Sequence, residues 1–87
     1  MKDPWYAFCT QMLKDAMYWK RVNYKSLSEL LLVVGIDENP NQLRHKINRG
    51  KFSFAFFLQC MRAMGVDKFE PNWADLEKER LKTDVQQ

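Results

Sequence analysis

The stretch Asn39-Pro40-Asn41-Gln42-Leu43-Arg44-His45-Lys46-Ile47-Asn48-Arg49-Gly50-Lys51 carries helix signals at both of its ends. Asn39 suits the N-cap, where its side-chain oxygen accepts one of the first unpaired backbone N–H groups, and Pro40 presets φ at the first helical position. Gly50 suits the left-handed residue that follows a last turn, and Arg49 and Lys51 put positive charge at the carboxyl end of the dipole. Between the caps only Leu43 and Ile47 are apolar. Their i, i+4 spacing sets one stripe against a core and turns the remaining side chains outward. At about 100° per residue the opposite face carries Asn41, His45 and Asn48, with Gln42 and Arg49 beside them and Arg44 and Lys46 on the flanks. Asn and Gln amides can pair with adenine at two atoms and an Arg guanidinium with guanine, so the face matches a groove-reading helix. The alternative is a short solvated helix with a polar outer face.

A chain of 87 residues holds one core, with a stability of about 5–10 kcal/mol. Its composition, 46% hydrophobic with six Phe, three Trp and three Tyr, excludes disorder for most of its length. No apolar run approaches the roughly 20 residues of a membrane span, and Met1-Lys2-Asp3-Pro4-Trp5 lacks a secretory pattern, so a cytoplasmic protein with no membrane partner is expected. Cys9 and Cys60 have no Cys or His at ligand spacing and fall on apolar helix faces. They are expected as buried reduced thiols, with no metal and no cofactor.

The net charge is +3, and its distribution tells more than its size. No acid occurs from Asn39 to Val66, a span that contains Arg44, Lys46, Arg49, Lys51 and Arg62. Lys20, Arg21 and Lys25 form a second basic cluster, and the segment after Val66 is net acidic. A one-sided basic surface is the footprint of a polyanion partner, although a charge run is also what any solvated face shows.

The first helix is expected from about Pro4 to Lys20 behind an Asp3 cap, with Trp5, Phe8, Cys9, Met12, Leu13 and Ala16 as its core stripe and Met17 at the edge. Ser26-Leu27-Ser28-Glu29 reads as a capping box with Ser26 at the cap, Asn23 being an earlier candidate. The second helix then buries Leu27, Leu30, Leu31 and Val34 and ends at Gly35. Tyr24 is expected as a lid over the core and Ile36 as buried where the chain turns. A fourth helix starts after Ser53 and runs to about Met64, with Phe54, Phe57, Leu58, Met61 and Met64 inside. Phe56 and Cys60 fall off that stripe, which makes the helix apolar on most sides. A fifth helix begins near Trp73 behind Asn72, docks through Trp73, and frays over Thr83–Gln87. No stretch alternates long enough to form a strand. The expected fold is all-α, a compact four- to five-helix bundle, with residues 1–70 as the main domain and 71–87 as a surface helix and tail.

Leu30-Leu31, Val34-Gly35-Ile36, Ile47-Asn48-Arg49-Gly50-Lys51 and Ala63-Met64-Gly65-Val66 together resemble the helix-turn-helix domain of phage-repressor-like (lambda-repressor or XRE-type) regulators. More closely, the chain resembles a small bacterial family of uncharacterised domains. The residues that carry this are Trp5, Leu13-Lys14, Met17, Tyr24-Lys25-Ser26-Leu27, Gly35-Ile36, Leu43 to Ser53, and Phe56-Phe57-Leu58-Gln59-Cys60. Against the repressor pattern, Leu27 stands where a Gln is usual and Asn48 where a Glu is usual. Asp37-Glu38-Asn39-Pro40 lengthens the turn.

The resemblance implies a helix-turn-helix with a lengthened turn, in a small bacterial or phage transcriptional regulator whose third helix, about 40–49, reads the major groove of double-stranded DNA. Asn41, Gln42, His45, Asn48 and Arg49 are then the base-facing candidates, and Lys20, Arg21, Lys25, Ser26, Arg44, Lys46 and Lys51 the phosphate contacts. One such helix reads few base pairs, so a homodimer or larger assembly is expected where specificity is high. The alternative is a protein-interaction module of the same fold without DNA binding, using Phe56, Leu32, Val33 and the fifth helix. An enzyme acting on a small-molecule substrate is not expected. His45 stands alone on a basic face, and no nucleophile elbow or phosphate-cradling glycine loop is present.

Overall fold

Each helix begins where a short polar side chain accepts one of the first N–H groups of the turn that follows it, which would otherwise lack a partner. In the computed structural model, which describes residues 3–85, Asp3 accepts from Trp5, Asn23 from Ser26, Asn39 from Gln42, Ser53 from Phe56 and Asn72 from Ala74. The helices are α1 (Pro4–Trp19), α2 (Tyr24–Val33), α3 (Pro40–Arg49), α4 (Phe54–Met64) and α5 (Trp73–Val85). No strand occurs among the described residues, and the fold is an all-α bundle. Of the expected fraying over Thr83–Gln87, the last two positions lie outside the described residues. Helical backbone continues to Val85.

Three helices end alike. The N–H of Val22 returns to the Met17 carbonyl at 2.9 Å, that of Ile36 to Leu31 at 2.9 Å and that of Val66 to Met61 at 2.8 Å. Each return follows a residue with positive φ, namely Arg21 (55°), Gly35 (85°) and Gly65 (75°). This C-cap satisfies a last carbonyl and folds an apolar residue back onto the core, where Val22, Ile36 and Val66 all pack. Glycine takes the left-handed conformation without strain, and Arg21 has no such freedom.

α1 packs against α3 and α5, and α2 against α3 and α4. The core where they meet is built on Leu13, Leu27, Leu31, Leu43, Ile47 and Cys60, all fully buried. Neither cysteine is in a disulfide; Cys60 is buried and Cys9 half-buried. Burial pushes the Cys60 thiol up to about 12, against the opposing pull of the nearby Lys46 ammonium, with Glu38 adding slightly to the rise. Cys60 therefore stays a neutral thiol.

Several expectations are corrected. Asn23, not Ser26, caps α2, and Ser26 at the third position completes the box by accepting from the Asn23 N–H at 2.9 Å. Tyr24 is thereby the first residue of α2. In α1, Met17 is core rather than edge, and Trp5 is largely exposed. Thr10, which the apolar stripe omitted, is buried and donates to the Ile47 carbonyl at 2.7 Å. In α2, Val34 lies outside the buried set and outside the helix. In α4 Phe57, Met61 and Met64 are buried as expected, but the rest of the inward face differs. Phe56 and Cys60 are core, whereas Phe54 and Leu58 are exposed. A helix apolar on most sides does not specify which side is buried, and here α2 selects it. With Phe56 buried, the apolar surface available to a partner shrinks to other residues. α5 docks through Leu76, which is buried, with Trp73 stacked on Phe8 at 5.6 Å.

Candidate nucleic-acid interface

Leu43 and Ile47 are wholly buried, and this fixes the rotation of α3 about its own axis. The helix is also clamped at its end. Gly50 (φ 72°) lies against α1 so closely that a β-carbon there would stand 2.1 Å from the Tyr6 carbonyl oxygen. Together with the Thr10 to Ile47 bond, this close approach sets the C-terminal end of α3 on α1. At the other end, Ser28 of α2 donates to the Glu38 carbonyl, which holds the connection into α3.

The outward face that results carries Asn41, Gln42, Arg44, His45 and Arg49, all exposed. Asn41 Oδ1 accepts from Arg44 Nη2 at 2.8 Å, so this pair is ordered along the surface. Gln42 Oε1 reaches back to the Asn39 N–H at 3.4 Å, a long contact that completes the N-terminal box. Asn48 sits differently from its neighbours. It is half-buried, its Nδ2 donates to the Arg44 carbonyl at 2.8 Å, and it approaches the Tyr24 hydroxyl at 3.5 Å. That approach sets the start of α2 beside the last turns of α3, and Lys20, Arg21 and Lys25 before and at that start are exposed.

Lys46 is held at home. Its Nζ lies 2.6 Å from Glu38 Oε1 and 4.5 Å from the centre of the Phe56 ring, and its side chain keeps 40% of its exposure. A partly buried pair with a cation–π contact is worth more than a surface ion pair. Ser26 is likewise engaged, since its hydroxyl serves the α2 cap. Lys51, just past α3, is exposed and lies over the Tyr6 ring at 5.2 Å. Among the described residues, Lys20, Arg21, Lys25 and Arg49 show no ion pair, Lys51 is held only by its ring contact, and the Arg44 guanidinium is bonded to Asn41.

Two residues that shape this surface escaped the sequence reading. Thr10 could have been found, because Tyr6, Thr10, Leu13 and Met17 share one helical stripe at i, i+4, i+7 and i+11. Glu38 could not, since its reach to Lys46 depends on how the connection folds. Chemically, the arrangement offers amide and guanidinium donors to base edges and ammonium groups to phosphates. Among the described residues no group of His, Cys, Asp or Glu could hold a metal ion, and no helix is long and apolar enough to cross a membrane.

The fold of a small all-α bundle, even with one rigidly held, acid-free helix face, does not by itself fix a function. The chain belongs to a domain family of unknown function, DUF6471, which it matches over residues 5–69, so that the match covers α1 to α4 and stops before α5. No curated protein and no solved structure matches it.

Proposed function

We propose that this protein is a small cytoplasmic DNA-binding domain of helix-turn-helix type, in which α3 enters the major groove and acts in transcriptional regulation rather than catalysis. The observation that carries the reading is the outer face of α3. Five exposed groove-reading or cationic side chains stand on a helix whose rotation is fixed by Leu43 and Ile47 and whose end is clamped on α1. His45 and Arg49 lie at the centre of the reading face, Asn41 and Gln42 at its leading end, and Lys20, Arg21, Lys25, Arg44 and Lys51 serve phosphates on either side. Lys46 and Ser26 play a structural part, and Asn48 supports the face from beneath.

With four or five phosphates neutralised, log K falls with log salt with a slope of roughly −4. Fluorescence anisotropy on random duplex DNA over a salt series tests this, comparing the wild type with the double variant Arg44→Ala, Arg49→Ala. Weakening in the variant together with a shallower slope supports the reading. Equal, salt-insensitive binding by both proteins refutes it.

A second reading, a protein-interaction module, is favoured by the surface where α2 ends and α4 runs past it. Val33 is 83% exposed there, with Leu32, Val34 and Leu58 beside it. It differs in its readout. Loss of association on Val33→Asp, with DNA binding absent at low salt, would select it.

A further inference from the structure

A second concavity lies away from α3, between α1, the start of α4 and the connection to α5. It encloses about 440 Å³ and is walled chiefly by Trp5, Phe8, Met12, Phe54, Phe69 and Trp73, and none of the side chains that line it is charged. Its rings fall into two groups. On one side Phe8 stacks on Trp73 at 5.6 Å; on the other Phe54 stacks on Phe57 at 6.0 Å, and Phe57 meets Phe69 edge-on at 5.0 Å. All five of these rings line the concavity. Trp5 and Trp73, 56% and 58% exposed, leave a large apolar area open to water.

We propose that this cleft binds an uncharged, planar aromatic small molecule. The volume falls within the range of about 300–1,000 Å³ typical of small-molecule sites, which combine apolar walls with few polar groups. Aromatic walls favour a flat ring by stacking and edge-on contact. The lack of any charged side chain leaves an ionic ligand without compensation for its lost water. Ser53 carries the one hydroxyl among the side chains that line the cleft. Its Oγ accepts from Phe56 at 3.0 Å. Lys68 and Glu70, which flank Phe69 in the sequence, are exposed.

The proposal is independent of DNA binding, and its test uses none. The full chain is titrated with 2-naphthol and, in parallel, with 2-naphthoate, followed by amide and indole NMR shifts. Saturable binding of 2-naphthol at one site is expected, with shifts at Trp5, Trp73 and Ser53. Trp5→Ala and Phe54→Ala, both exposed walls, are expected to weaken it about tenfold, as the loss of one good ring contact would. Trp19→Ala, exposed but outside the cleft, leaves it unchanged. The absence of saturation overturns the proposal. So does equal or tighter binding of 2-naphthoate, or sedimentation showing a dimer that Trp5→Ala dissolves.

Discussion

Gly50→Ala tests how α3 is held. A β-carbon at this position stands 2.1 Å and 2.7 Å from the oxygen and carbon of the Tyr6 carbonyl and 2.9 Å from Thr10 Oγ1. Two of these atoms are α1 backbone, so no rotamer change relieves the clash, and the end of α3 must lift away from α1. The cost has three parts. Placing alanine at φ 72° costs about 1 kcal/mol; overpacking costs about 1–3 kcal/mol; and stretching the buried 2.7 Å bond from Thr10 to the Ile47 carbonyl costs about 1 kcal/mol. Together they amount to about 3–5 kcal/mol, a large share of the roughly 5–10 kcal/mol available to a domain of this size. Gly35→Ala and Gly65→Ala are the controls, because both glycines have similar φ, 85° and 75°, and nothing within 4 Å of an added β-carbon. They should cost about 1 kcal/mol each. Urea and thermal denaturation followed by circular dichroism should show a fall of roughly 4–8 °C for each control, and one about three to five times larger for Gly50→Ala. Three equal losses would refute the close approach of α3 to α1 and leave only the backbone conformation as the role of Gly50.

Arg21→Gly relieves the one non-glycine residue at positive φ (55°) and should stabilise the fold by about 0.5–1 kcal/mol in the same assay. Under the DNA reading the variant also binds duplex more weakly, so stability and affinity move in opposite directions. Glu38→Gln releases Lys46 from its 2.6 Å partner, and the freed ammonium should tighten DNA binding and steepen the salt slope by about 0.9, read by anisotropy. Cys60 gives an alkaline signature. Its thiol is raised from 9.0 to about 12 by burial, so the folded chain keeps a proton that the unfolded chain releases. Stability is untouched below pH 9 and declines between about pH 9 and 12, by up to about 1.4 kcal/mol per pH unit. Urea midpoints of wild type and Cys60→Ala should converge over that window, and parallel curves would contradict it.

The sequence by itself determined the elements that rest on local chemistry. The caps Asp3, Asn39 and Ser53, the stops Gly35, Gly50 and Gly65, and the Leu43–Ile47 stripe of α3 each depend on residues within a turn of one another, and all stand where the pattern put them. Asn23 against Ser26 was a contest between two neighbouring caps that local rules left open. Only the tertiary structure decided which side of α4 is buried, because Phe54, Phe56, Phe57, Leu58 and Cys60 surround that helix and hydrophobic burial has no direction until α2 packs on it. The same holds for the pairing of Lys46 with Glu38, the turning of Asn48 toward Tyr24, and the contact of Gly50 with Tyr6. Each joins residues whose meeting depends on the path of a connection or the docking of one helix on another, and none of the three is encoded in the spacing of residues along a single helix.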